Sequence, residues 1–338
     1  MKKKTPSNFY PDLDVFKETL GREARETIAA MDAAGDDIAS QLSEIDLKID
    51  RVGCTHLKTY FTLKDPLNNT NSINLYAKVQ ISIEVPETMR GIHVSRLSDS
   101  VARLAPLRTY ESICDFARTL ALDIKATQRS LSVNVKIEAD YITPADVESL
   151  KGAPYKKTQD HFLLLGEVTV GEEWESKALG LEFKHITSCP CVQRIIHHAR
   201  GKKAEFPHLT HSQRVITRVI LSPVESELLL PDLLKSIDSV LFLTRDTLPR
   251  PGEAALVFRS HEKPQFIEDV IRQVALQTYK EFHKTHPHSN IIIKSRSLES
   301  IHSFDIEAEL KTSMESLGLV SQKTKMNHRV VKSRWNAT

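Results

Sequence analysis

The chain has 338 residues, with 46 Lys and Arg against 44 Asp and Glu, and a formal charge of +2 carries no nucleic-acid or membrane footprint. It is 40% hydrophobic and 27% charged, an ordinary soluble globular composition, and its length suggests about two domains. Its 11 glycines are about half the usual usage of about 7%, and no two form G-x-G or a phosphate-binding G-x-x-x-x-G-K-S/T. Bound phosphates would therefore have to be held largely by side chains.

The basic start, MKKKTPSNFYPDLD, has no apolar stretch after it, and no apolar run reaches the roughly 18 residues of a spanning helix. Neither a secretory signal nor a membrane segment is expected. The four cysteines do not form a disulfide framework, so a reducing cytoplasm is the expected compartment.

In chain order, residues 12–44 have helical character, so 1–44 reads as an N-terminal helical extension. A weak strand follows at about 45–62, with a turn at Asn68-Asn69-Thr70-Asn71. Strict alternation from Ile73 to Val85 predicts an antiparallel strand. Thr109 opens a predicted helix with Glu111 in its first turn and Ile113, Phe116, Leu120 and Ile124 on one face. Alternation returns from Leu131 to Tyr141. A polar connection at 143–159 leads to the strand HFLLLGEVTV. The second half repeats the order, with strands at 178–187 and 213–222 and helices at about 231–242 and 265–285. Two more strands, SNIIIKS and HSFDIEAEL, close it. The expected architecture is α+β, with two modules at 45–172 and 173–320, each an antiparallel sheet with helices packed on one face. A polar, basic tail occupies 321–338.

Ten of the 14 histidines lie between His185 and His302, the stretch that also holds Cys189-Pro190-Cys191. Thiolate and imidazole suit zinc or ferrous iron. The C-x-C spacing and lack of a second pair argue against a closed zinc finger. An open site of one Cys, one His, a carboxylate and a water would permit chemistry; a small buried Cys189 beside a surface His211 fits the spacing equally well. Glu268 stands in the first turn of a predicted helix, where the dipole favours carboxylates. Glu253 follows Pro-Gly in an expected loop, and His197 and His198 read as exposed loop residues. RGIHVSR (90–96) places two Arg, a His and a Ser just after the best strand, either as a solvated loop or as a phosphate clamp.

These segments, in this order, resemble the type IB GTP cyclohydrolase I family and its archaeal relatives that release a cyclic-phosphate dihydroneopterin. The family's G-x-H-M-S-R is matched by Gly91-Ile92-His93-Val94-Ser95-Arg96, its C-P-C by Cys189-Pro190-Cys191, and its T-H-N-Q-R by Thr210-His211-Ser212-Gln213-Arg214. K-R-x-D-E resembles Pro249-Arg250-Pro251-Gly252-Glu253, without the Lys and Asp. N-P-x-F-V-E-D resembles Lys263-Pro264-Gln265-Phe266-Ile267-Glu268-Asp269, and E-S-I-H is intact at 299–302, with Phe304 where a second His is common. The resemblance spans about residues 50–312.

It implies tandem tunnelling-fold modules, a homo-oligomer (dimer or tetramer) with active sites at subunit interfaces, and pterin and folate biosynthesis. The implied substrate is GTP, opened at C8 with loss of formate to give 7,8-dihydroneopterin 3′-triphosphate. A dihydroneopterin 2′,3′-cyclic phosphate is the alternative product. A non-catalytic purine- or pterin-binding protein of the same fold is the alternative from another class. The implied cofactor is a divalent metal ion (Zn, Mn or Fe) on Cys189, His211 and Glu253. Cys191 is either behind the metal or acts on substrate. Glu268 would hold the guanine edge, Arg96, Arg214 and Arg250 the triphosphate, and His93 and His302 would move protons at the ribose.

Overall fold

A computed structural model describes residue 26 and residues 38–67, 71–128, 130–148, 154–200, 208–224 and 230–321. The expected turn at 68–71 (apart from Asn71), the tail beyond Ser321 and most of the N-terminal helix lie outside these residues. Within the described part of that extension the expected helix is absent beyond Ser40. Ile38–Ser40 form a single 3₁₀ turn, and residues 41–48 have no regular structure.

The first half runs β1 (Ile49–Lys64), β2 (Ser72–Val85), α1 (Val94–Leu104), β3 (Thr109–Tyr110), α2 (Ile113–Gln128), β4 (Val133–Glu148) and β5 (Pro154–Val170). The second runs β6 (Glu175–Ser188), α3 (Pro190–Arg200), β7 (Ser212–Ser222), α4 (Leu230–Asp238), β8 (Phe242–Leu243), α5 (Arg250–Glu262), α6 (Ile267–Phe282), β9 (Asn290–Leu298) and β10 (Ile306–Ser313). All of the long strands pair antiparallel in one sheet, ordered β10-β9-β7-β6-β5-β4-β2-β1-β3, with β8 on β6. The architecture is the expected α+β tandem. The halves share the plan β-β-α-β-α-β-β, with α1 corresponding to α4, β3 to β8, and α2 to α6. The second half adds α3 between β6 and β7, and α5 before α6.

The core lies between one sheet face and the helices. On β2, Leu75, Ala77, Val79, Ile81, Ile83 and Val85 are buried, and on β4, Val133, Val135, Ile137, Ala139 and Tyr141. α2 covers them with Ile113, Phe116, Ala117, Leu120, Ala121 and Ile124, the spacing of one helical face. Its entry is capped by Ser112, whose hydroxyl accepts from the Asp115 amide at 3.1 Å. The acid of the first turn is thus Asp115 rather than Glu111, and Thr109 belongs to β3. Gly166 lets α2 sit close on β5, since a Cβ there would lie 2.9 Å from Ile113. Phe61 and Phe116 stack at 4.5 Å, with Tyr110 tilted against Phe116 at 4.7 Å. Cys114 is half-buried against this layer, and desolvation there pushes its thiol up to about 12.

Three of the helices named above escape the sequence reading, each for a physical reason. α5 begins Arg250-Pro251-Gly252-Glu253, which reads as a turn, yet Pro249 and Pro251 occupy its first positions, where no amide hydrogen is needed. Glu253 is therefore on a helix, not in a loop. α3 likewise starts at Pro190, so His197 and His198 are helical. α1 buries only Leu97, Ser100, Val101 and Leu104, too short an apolar stripe to stand out. The connection at 143–159 is also corrected: β4 and β5 continue through Thr143↔Asp160 to Glu148↔Pro154 as a long hairpin. At the other edge β10 starts at Ile306, leaving Phe304 outside the strand. Among the described residues no helix is long and apolar enough to cross a membrane.

The second half has a more polar core. His185 on β6 is fully buried and shares a hydrogen bond with Thr217 at 2.9 Å, and Thr217 with Ser295 at 2.8 Å, across three strands. Burial lowers His185 from 6.5 to about 3. The unfolded chain takes up this proton near pH 6.5 and the fold resists it, so His185 leaves stability intact above pH 6.5 and erodes it as pH falls toward 3. The loss reaches roughly 4 kcal/mol. Urea midpoints measured between pH 7 and 3 are expected to fall less steeply in His185→Leu than in the unaltered protein.

Candidate active site

β6 and β7 end side by side, with Ser188 paired to Ser212. The ladder continues one step further, as the Cys189 amide donates to the His211 carbonyl at 3.1 Å. Thr210 Oγ1 then donates to the Cys189 carbonyl at 2.7 Å. Strand alternation puts Cys189 in phase with His185 and Thr187, and His211 in phase with Gln213 and Val215, on the helix-covered face. Cys189 and His211 are both half-buried, and Cys191, second residue of α3, is exposed.

The added helices close around this strand end. Ser188 Oγ lies 2.9 Å from Ser212 Oγ and donates to Ser260 Oγ of α5 at 3.1 Å. The Gln265 amide, just before α6, donates to the Ser188 carbonyl at 3.0 Å. Gln193 of α3, 8% exposed, donates to the carbonyls of His208 at 3.1 Å and His261 at 2.6 Å. Gln265 Oε1 and Gln213 Oε1 are buried here without a hydrogen-bond partner. From beyond β9, Ser300 Oγ approaches His211 Nδ1 at 3.4 Å, and the His302 ring stands perpendicular to that of His211 at 6.5 Å. Phe304 stacks on His302 at 5.2 Å.

The other residues singled out from the sequence are placed as follows. Glu268 is exposed in the first turn of α6, beside the Gln265–Ser188 contact. Arg250 and Glu253 are exposed in the first turn of α5, with Glu253 about 10 Å along the axis from Ser260. Arg214 falls out of phase with Gln213, exposed on the opposite sheet face. Among the described residues no three His, Cys, Asp or Glu side chains gather as a metal ion would need. The expected set Cys189, His211 and Glu253 is thus not assembled within one chain.

The sequence reading passed over Glu299. β7 pairs with β9 as far as Arg214↔Leu298, so the next residue of β9 runs beside Gln213, and alternation from Ile293, Ser295 and Ser297 puts Glu299 on the face of Cys189 and His211. Ser297 Oγ donates to Glu299 Oε1 at 2.7 Å. The intact E-S-I-H segment carries this carboxylate together with His302.

His93 and Arg96 lie elsewhere. They follow β2, whose C-terminal end is level with the starts of β4 and β6 through Ile83↔Val133, Val133↔Val170 and Val170↔Glu175. Cys189 lies past the far end of β6, about 40 Å along the strand. At the near end, Gln128, the last residue of α2, accepts from the His93 amide at 3.1 Å and donates to its carbonyl at 2.8 Å. Arg96 Nη1 donates to the Thr127 carbonyl at 3.0 Å. The candidate residues therefore fall into two groups at opposite ends of the sheet. The cysteine end is rimmed by exposed apolar side chains, Ile195, Leu209, Phe258, Phe266, Ile301 and Phe304. A separate cleft of about 720 Å³, which includes Tyr60, Tyr76, Lys78, His161 and Lys184 in its lining, holds none of the candidate residues.

The family model described as type I GTP cyclohydrolase folE2 matches residues 36–308. GTP cyclohydrolase MptA of Methanocaldococcus jannaschii is 26% identical over 300 residues, covering 81% of this chain and 93% of that protein. The protein of the same name from Korarchaeum cryptofilum is 28% identical over 284 residues, covering 83% and 93%. Among solved structures, uricase from Arthrobacter globiformis aligns with a TM-score of 0.47 at 7% identity, covering 80% of this chain and 96% of that one, a likeness too slight to bear on function.

Gln193 holds α3, the lead into β7 and α5 together through two carbonyls. Gln193→Leu leaves both without that donor and is expected to cost about 1–3 kcal/mol, read from thermal unfolding.

Proposed function

Because the chain belongs to the type I GTP cyclohydrolase folE2 family, we propose that it hydrolyses GTP at C8, releasing formate and forming 7,8-dihydroneopterin 3′-triphosphate. The observation that carries the reading is the backbone-fixed pair Cys189 and His211, with His302 facing His211 and Glu268 at the same sheet end.

One thiol and one imidazole held across a ladder step fit two ligands of zinc, manganese or iron. Such an ion, when bound, supplies a water acidic enough to act as hydroxide at neutral pH. The third ligand is a carboxylate: Glu253 is the choice of the sequence, and Glu299 the one on the face of the pair. Metal content of Glu253→Gln and Glu299→Gln separates them.

Glu268 accepts hydrogen bonds from N1–H and the exocyclic amine of guanine, which leaves C8 as the reacting edge. Water adds at C8, the imidazole ring opens, and a second hydrolysis releases C8 as formate. The freed amine then condenses with the rearranged ribose, losing water as the dihydropterin ring closes. His302 and His93 give and take the protons of the ribose steps, and Cys191 either acts on substrate or stands behind the metal. Arg96, Arg214 and Arg250 neutralise the triphosphate.

These roles cannot be performed by one chain, since His93 and Arg96 lie about 40 Å from Cys189 along the sheet. A homo-oligomer, dimer or tetramer, that sets the near end of one copy against the apolar rim of another supplies both halves. The four cysteines are free, which accords with a cytoplasmic setting. The cyclic-phosphate product is a second reading, kept because similarity to proteins named GTP cyclohydrolase MptA does not fix the product. Mass spectrometry of the product decides.

Cys189→Ala and His211→Ala are expected to release no formate from GTP while keeping their fold. Mixing His93→Ala with His211→Ala, denatured and refolded together, should restore about a quarter of the activity, because some sites then take both halves from intact copies. Full activity in either cysteine-end variant contradicts the assignment.

A further inference from the structure

The near-end half-site is not built from the first module alone. Residues 38–41 lie across the segment that carries His93. The Arg90 amide donates to the Gln41 carbonyl at 2.9 Å, and the Gly91 amide to the Ala39 carbonyl at 3.1 Å. Between these two anchors, Ser40 Oγ shares a hydrogen bond with His93 Nε2 at 3.2 Å. The backbone of His93 is held independently, by the side-chain amide of Gln128, which is 3% exposed. Ring and backbone are thus fixed by different elements, the ring by the N-terminal segment and the backbone by the end of α2.

We propose that Ser40 is a positioning residue for His93: its hydroxyl, carried in by the N-terminal segment, sets the orientation of the imidazole. An imidazole that both gives and takes protons works only with its ring aimed at the reacting atoms, and a fixed partner on Nε2 holds the ring in one orientation. The proposal rests on the reading that His93 acts on substrate.

The geometry makes the test clean. Removing the hydroxyl leaves both backbone bonds at Arg90 and Gly91 and both Gln128 bonds in place, so the segment and the loop remain docked. Formate release by the full-length, metal-loaded enzyme is measured for Ser40→Ala, Ser40→Thr and His93→Ala, with thermal unfolding as the control of fold. Ser40→Ala should lose kcat by about three- to tenfold with KM nearly unchanged, and Ser40→Thr, which keeps the hydroxyl, should recover it. His93→Ala should lose about a hundredfold or more. Wild-type kcat in Ser40→Ala alongside an inactive His93→Ala overturns the positioning role and leaves the reading of His93 intact. A higher kcat in Ser40→Ala overturns it too, and makes the segment an inhibitory cap. Wild-type turnover in His93→Ala overturns the proposal at its premise.

Discussion

The antiparallel pairing of β5 with β6 is the constraint on which the rest of the structure depends. Its register, Leu163↔Glu182 through Val170↔Glu175, joins two modules into one sheet and fixes the direction of every strand beyond it. β2 then terminates at one end of the strands and β6 at the opposite end. The segment after β2 carries His93 and Arg96, and the segment after β6 carries Cys189, so the two are held apart by the length of a strand. No side-chain rearrangement spans such a distance. The proposed function therefore requires association of copies, because backbone pairing keeps the two groups apart.

The two modules share a plan but divide the labour. The first has an apolar core under α2, and its end is closed by a buried glutamine and the N-terminal segment. The second gives up apolar packing along β6, β7 and β9 for His185, Thr217, Ser295 and Ser297. It also inserts α3 and α5, the two helices without counterparts in the first half. Gln193 and Ser260 tie those insertions to the strand ends that bear Cys189 and His211. The polar core and the added helices converge on the same end of the sheet, and buried oxygens on Gln213 and Gln265 there lack protein partners.

Much of the fold was legible because alternation is a strong signal where one sheet face is buried. β2, the core of β4 and the apolar face of α2 were read from period alone. α5 was hidden because proline marks a turn in sequence but suits a helix start equally well. The β4–β5 arm was hidden because its residues are polar, and only the ladder shows that they pair. At the candidate site, Cys189, His211 and His302 come from three separate short segments, and the fold brings them to one sheet end. Distance in three dimensions was not legible: nothing in the spacing of His93 and Cys189 says that they sit at opposite sheet ends. Glu299 was overlooked for a related reason, since its place beside Gln213 follows from strand register.

On the proposed function, a single copy holds two separated halves of one site. Sedimentation velocity on a dilution series, with formate release from GTP assayed at each concentration, tests it most directly. Activity per chain is expected to follow the fraction of dimer or larger assembly and to disappear with it. A monomer that releases formate at the full rate would contradict it.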